Sequence, residues 1–272
     1  MPSIQLNYQN ATTLDMEEND TMLLNASVID SIAAFYTEQK NKRYQALAEL
    51  VPAILKNNIE SKEQNRLHSR DLNVFRFFNP GETTHSRLLA YFLDPLQSHG
   101  QGDLFLIEFL RLLGIDQPET VPFHPWIVTA ELGRVDVLIK RTEPHTVVVI
   151  ENKSNYAEDQ PNQLYRYWYQ EIYLKQLERR AAWQETINPP RSRFRIIYLS
   201  PTSWKQADKQ SVCKPEDWGA DLPEAVPEGI IEHHLFSQLV TESLTKSLLS
   251  IPAVNHRLRE FTQQYIQFWQ SI

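Results

Sequence analysis

The stretch TVVVIENK, residues 146–153, sets four consecutive aliphatic residues, Val147 to Ile150, directly before a carboxylate and an ammonium. A continuous aliphatic run of strand length belongs deep in a core rather than on a half-solvated sheet. Glu151 and Lys153 stand two apart and therefore share one face of an extended chain. The pair is either a structural ion pair or half of a reaction site.

The neighbouring segments follow from periodicity. RVDVLIK (134–140) alternates, and the polar RTEPH joins it to TVVVIENK, so the two read as a hairpin. In a symmetric hairpin Asp136 falls opposite Glu151. WIVTAELG (126–133) precedes them as a first strand, and RFRIIYLSP (193–201) follows as another. Between the last two, QPNQLYRYWYQEIYLKQLERRAAWQ reads as one long helix, capped by Asp159 or Gln160 with Pro161 in its first turn.

Upstream, Asn79-Pro80-Gly81 signals a turn. A helix opens near Glu82 or Thr83 and stops at Asp94-Pro95, and a second runs from Asp103 to Gly114. Residues 1–22 read as loosely ordered, and 31–59 as a helical arm bent or restarted at Pro52. Residues 202–229 read as an irregular insertion, followed by a short strand near Ile230 and an amphipathic end through Leu258, Phe261, Tyr265, Phe268 and Trp269. The expected fold class is α/β, in three parts: a polar segment and helical arm (1–78), a core (79–201), and an insertion, strand and helices packed on that core (202–272).

The net charge of −7 over 272 residues argues against coating nucleic acid through bulk charge. An enzyme with one local basic face remains compatible with it. Cys213 is the sole cysteine, which excludes an intrachain disulfide and, without zinc-type spacing, argues against structural zinc. No leader peptide and no membrane-length apolar run is visible, so a cytoplasmic location without a membrane partner is expected.

Hard cations such as Mg²⁺ take oxygen ligands, commonly one or two carboxylates with water and phosphate completing the shell. Asp136 and Glu151 on adjacent strands supply two, and the main-chain carbonyl of Asn152 is a candidate third. Lys153 would hold the attacking hydroxide or stabilise developing negative charge. The simpler alternative is a strand-end ion pair with Asp136 a surface residue. Three features weigh against it: a carboxylate inside an apolar strand, the hydrophobicity of the run before Glu151, and Gln163 and Tyr167, four apart on the following helix and on one face of it.

In order, GETTHSRLLAYFLDP, SHGQGDLFLIEFL, RVDVLI, VVIENKSNYAEDQPNQLYRYW and RIIYLSP resemble the PD-(D/E)XK nuclease superfamily, in its RecB-like bacterial branch, across about residues 79–201. The resemblance implies a restriction-endonuclease-like core (helix, three-stranded meander, helix, strand) with helical N- and C-terminal additions. It also implies a site at the sheet edge. Asp136 and Glu151 match the metal-binding carboxylates and Lys153 the catalytic lysine. Glu82 matches an acidic residue on the first core helix that completes the metal shell. Gln163 and Tyr167 match a Q-x-x-x-Y element that positions substrate or lysine, and His85 belongs with them as a substrate-side residue. Val135 stands where the signature has proline.

His99 and the doublet His233-His234 read as structural. Tyr165, Tyr167, Trp168, Tyr169 and Tyr173 cover several faces of one helix and mostly read as packing. Arg179, Arg180, Arg191, Arg193 and Arg195 form the densest basic stretch, a solvated face first and a weak nucleic-acid rim second. The expected activity is a Mg²⁺-dependent nuclease, with Mn²⁺ as a substitute, cleaving phosphodiester bonds in DNA, as a possible homodimer. The alternative from another class is a catalytically silent nuclease fold serving binding or assembly in a phage-defence or mobile-element system.

Overall fold

The computed structural model describes residues 11–69 and 72–272, with side chains described from residue 27 onward except that of His68. The chain divides into two compact units, residues up to Leu72 and Asn73–Ile272. Among the described residues of the first lies one helix, α1 (Ala11–His68), which carries Pro52 inside it. Residues 11–22 are thus helical rather than loose, residues 1–10 lie outside the described residues, and Pro52 neither ends nor restarts the helix. From residue 27 on, nearly every side chain of α1 is exposed, including Ile32, Phe35, Tyr36, Leu47, Leu50 and Ile54.

The second unit opens with α2 (Val74–Phe78), α3 (Glu82–Leu93) and α4 (Leu104–Leu112). Phe75 is buried against Phe261, Tyr265 and Phe268, and the Asn73 amide donates to the Gln264 carbonyl at 2.7 Å. Residues 73–78, expected with the helical arm, are therefore part of the core unit. Then come β1 (Ile127–Leu132), β2 (Val135–Arg141), β3 (Thr146–Asn152), α5 (Gln163–Tyr167), a π-helical stretch (Trp168–Tyr173), α6 (Leu174–Glu178), α7 (Trp183–Ile187) and β4 (Phe194–Ser200). The chain finishes with α8 (Lys209–Val212), β5 (Ile231–Leu235), a second π-helical stretch (Phe236–Val240), α9 (Thr241–Ser250) and α10 (His256–Gln270).

The strands form one sheet in the order β1-β2-β3-β4-β5. β1, β2 and β3 run antiparallel as a meander; β3–β4 and β4–β5 are parallel and joined by crossovers. Every residue of β3 is buried, as its aliphatic run demands. Alternation splits the sheet residues between two cores. Val137, Ile139, Val148 and Ile150 face α3, α4, α9 and α10, whereas Leu138, Val147 and Val149 face Leu164, Trp168 and Ile172. Mixed α/β layering with this meander is consistent with a restriction-endonuclease-like fold.

The long helix expected after residue 160 differs in detail. Its cap is Asn162 in a left-handed conformation, and neither Asp159 nor Gln160 fills that role. The chain also leaves the helix at Arg179 and Arg180 before α7. The segment 202–229 contains α8, capped by the Asp208 carboxylate.

Candidate active site

The β2–β3 register, Val137 opposite Ile150 and Leu138 opposite Val149, brings Asp136 level with Glu151 at the strand end. Both point to the α5 face, where a cleft of about 750 Å³ opens. Asp136, Glu151, Lys153, Gln163, Tyr167 and Glu82 all line it, joined by Arg134 and Arg166. The strand end, rather than a lateral edge strand, carries the site.

Asp136 accepts a hydrogen bond from the Asn152 main-chain N–H at 2.7 Å. Burial raises its pKa, and the Glu151 charge raises it further, against the lowering effect of the Asn152 N–H. Glu151 is 1% exposed, and burial likewise pushes its carboxyl upward, offset in part by Lys153. One of its oxygens accepts from the Lys153 ammonium at 2.7 Å; the other, Oε2, is buried without a hydrogen bond, because the Tyr167 hydroxyl beside this carboxyl gives its proton to the Arg134 carbonyl.

Lys153 is held from a second side by Asp159 at 3.2 Å. Burial works against its ammonium, but Glu151 and Asp159 together outweigh that and raise its pKa. Asp159 is in turn fixed by the Tyr198 hydroxyl at 3.0 Å and the Asp208 N–H at 2.6 Å. Tyr198 sits beside Glu151 in the β3–β4 register, so β4 supplies the support for the lysine. Periodicity alone gave no sign of Asp159, although a buried carboxylate six residues after the lysine is chemically what a buried ammonium needs.

Gln163 and Tyr167 meet as their spacing implies: the Gln163 amide donates to the Tyr167 hydroxyl at 2.8 Å. That hydroxyl donates onward to the Arg134 carbonyl at 2.6 Å. Arg134 occupies the two-residue turn between β1 and β2, where Gly133 and Arg134 both have positive φ, 65° and 69°. Such a turn matches the twist of the hairpin but strains a side chain other than glycine. Tyr167 pins it there. The Arg134 and Arg166 guanidiniums make no ion pair or hydrogen bond among the described residues, so both remain available at the cleft.

Three expected residues stand differently. Glu82 lines the cleft, but its carboxylate accepts from the Asn155 and Ala157 N–H groups at 3.3 and 3.4 Å. Among the described residues, no three His, Cys, Asp or Glu side chains group closely enough to hold a metal by themselves. His85 is a core residue and does not line the cleft: it is 1% exposed, bonds the Tyr265 hydroxyl at 3.0 Å, and packs on Phe268 and Trp269. The Asn152 side chain, whose neighbouring carbonyl was a candidate ligand, ties the strand end to α3 through the Glu82 carbonyl and Ser86 hydroxyl.

Arg179, Arg191, Arg193 and Arg195 lie toward the other end of the sheet. Val147, at the start of β3, pairs with Phe194, four residues from the Glu151–Tyr198 pair, roughly 13 Å along a strand. Arg179 bonds Glu143, Arg193 pairs with Glu185, Arg195 with Glu232, and Arg191 donates to the Glu228 carbonyl. None of them, nor Arg180, lines the cleft. The arginines that do line the cleft are Arg134 and Arg166, isolated in the sequence, which a search for charge density passes over. His99 braces its own turn, accepting from the Gln101 N–H at 3.0 Å.

A family model described as the PD-(D/E)XK nuclease superfamily matches residues 72–221, more than half of the chain. The chain belongs to the PD-(D/E)XK nuclease superfamily. The match names no branch within it. No curated protein and no solved structure matches the chain. Membership implies a nuclease with a nucleic-acid substrate, and nucleases of this superfamily typically use divalent metals. The donor set fits one: Asp136 and Glu151 offer hard oxygen atoms side by side, Glu151 Oε2 takes no hydrogen bond, and the Lys153 ammonium is shared between Glu151 and Asp159. Among the described residues no helix is long and apolar enough to cross a membrane.

Proposed function

We propose that this chain is a Mg²⁺-dependent nuclease hydrolysing phosphodiester bonds in DNA, with Asp136 and Glu151 as metal carboxylates and Lys153 as the catalytic cation. The observation that carries the reading is the buried Glu151 Oε2, without a hydrogen bond and beside the half-buried Asp136 carboxylate. Lys153 already pairs with Oε1, so Oε2 is the buried oxygen left for a further cation. Fully ionised, Asp136, Glu151, Asp159 and Lys153 sum to −2, the charge a divalent ion would balance.

When bound, such an ion would lower the pKa of water and neutralise charge on a phosphoryl oxygen. The protein supplies the rest. Lys153 is clamped by two carboxylates and stays protonated at neutral pH, so its role is to stabilise developing negative charge rather than to act as a base. Arg134 and Arg166 bind flanking phosphates. Tyr167 positions Arg134, and Gln163 positions Tyr167. Glu82 orders the segment after Lys153. DNA as the substrate, and a RecB-like affiliation, rest on the resemblance of the ordered motifs.

Purified protein should cleave DNA with Mg²⁺ or Mn²⁺ and not in chelator. Asp136→Ala and Lys153→Ala should each lower the rate by at least about 10²–10³-fold, with unchanged circular dichroism. Full cleavage in both variants, contaminating nuclease excluded, overturns the assignment. A silent scaffold is the second reading, favoured by the absence of a three-carboxylate group among the described residues. Mn²⁺ calorimetry separates the two: a scaffold gives no heat that Asp136→Ala removes.

A further inference from the structure

Next to the cleft stands an aromatic pair that the hydrolytic reaction does not use. Tyr156 immediately precedes the cleft-lining Ala157 and Glu158. Trp204 lies four residues beyond the end of β4. Their ring centroids are 5.2 Å apart with the planes 4° from parallel. Tyr156 is 39% exposed and Trp204 71%, and neither belongs to the two buried cores. Two large rings left this wet contribute little of the burial energy that such side chains normally supply.

The backbone beneath Tyr156 is strained. Its φ is +61°, a region that bulky residues rarely enter. The surrounding bonds enforce it. Glu82 accepts from the N–H groups on either side, those of Asn155 and Ala157, and the Tyr156 N–H donates to the Lys153 carbonyl at 3.0 Å. The segment that carries Lys153 therefore also fixes where the Tyr156 ring points.

We propose that Tyr156 and Trp204 form a stacking platform for an unpaired base of single-stranded nucleic acid entering the cleft. This rests on the nuclease reading above and names its substrate class. The platform offers a flat π surface one residue from the cleft lining, and Arg134 and Arg166 leave two unpaired cations in that cleft for the backbone. Aromatic faces flanked by cationic groups are how single strands are held without sequence readout. A duplex hides its base faces in the stack and has nothing to lay on the rings, so the platform selects single strands or frayed ends.

The test is binding alone, by fluorescence anisotropy of a short labelled single strand and a blunt duplex of equal length, with Ca²⁺ in place of Mg²⁺. Full-length protein is compared with Trp204→Ala, Trp204→Phe and Tyr156→Asn, since Asn tolerates positive φ. Circular dichroism checks that each variant folds. Trp204→Ala and Tyr156→Asn should weaken single-strand binding by about 5–100-fold, the range for one lost base stack. Trp204→Phe should recover most of it, and duplex affinity should move by less than about 2-fold. Unchanged single-strand affinity in both ring-deleting variants, or equal losses for strand and duplex, overturns the platform. A chain that discriminates strands through Trp204 yet cleaves nothing refutes the nuclease reading and keeps the platform; cleavage with platform variants binding like wild type does the reverse.

Discussion

His85 couples stability to pH. Burial holds its imidazole down at about 4, against an ordinary value of 6.5. The unfolded chain therefore takes up a proton at a higher pH than the folded one, and stability falls as pH drops from about 6.5 toward 4. The full difference is on the order of 3 kcal/mol. Thermal melts across this window should show the loss, and His85→Phe should flatten part of the slope. His145, also pushed down to about 4 mainly by burial, keeps its own share. An unaltered slope in the variant would contradict the assignment.

Asp159 poses the second question at this scale. Asp159→Asn keeps the volume but removes one of the two charges clamping Lys153. The variant should lose about 10-fold or more in turnover while substrate affinity holds, because the altered charge acts on the reacting phosphoryl group. A pure rise in KM would assign Asp159 to binding instead. These two residues also mark where sequence reading reached its limit. His85 sits in a helix with an apolar face, and only its contacts with α10 reveal that it points into a core. Asp159 looked like a helix cap because caps and lysine partners use the same residue types.

Elements decide which arginines meet substrate. The turn between β1 and β2 and the first turn of α5 carry Arg134 and Arg166 into the cleft, whereas Arg179 and Arg193 are engaged by Glu143 and Glu185 at the far end of the strands. Arg134→Ala and Arg166→Ala should each weaken nucleic-acid binding and reduce the salt slope by about one phosphate contact. Arg179→Ala and Arg193→Ala should leave both unchanged. Tyr167→Phe removes the hydroxyl that pins the Arg134 carbonyl, a bond worth about 1 kcal/mol, and should raise KM more than it lowers kcat. The β2–β3 hairpin was legible in the sequence because alternation and a short polar turn fix a register. Continuity of α5 into α6 was legible too, but its break at Arg179 and the left-handed cap at Asn162 have no periodic signature.

On the scale of the whole chain, no residue before Asn73 is buried among the described side chains, and both cores are built from Phe75 onward. Residues 73–272 expressed alone should therefore unfold in one cooperative transition, as followed by circular dichroism and tryptophan fluorescence. Multiple transitions, or insolubility only in the absence of residues 1–72, would show that the first unit supplies core contacts. The helical arm was readable from its apolar spacing, yet its extent was not. Proline inside a helix normally argues for an interruption, and α1 passes through Pro52 regardless.

Glu82 and His85 are one turn apart on α3. The first grips the end of β3 and the segment after Lys153; the second is wedged among Tyr265, Phe268 and Trp269. That single turn bridges the two, so loosening the C-terminal helix should disturb the grip on the segment after Lys153 even though no residue of that helix lines the cleft. Trimming or tagging the carboxyl end near Trp269 is then an intervention on catalysis, and amide exchange in the 153–158 segment is where its effect would surface.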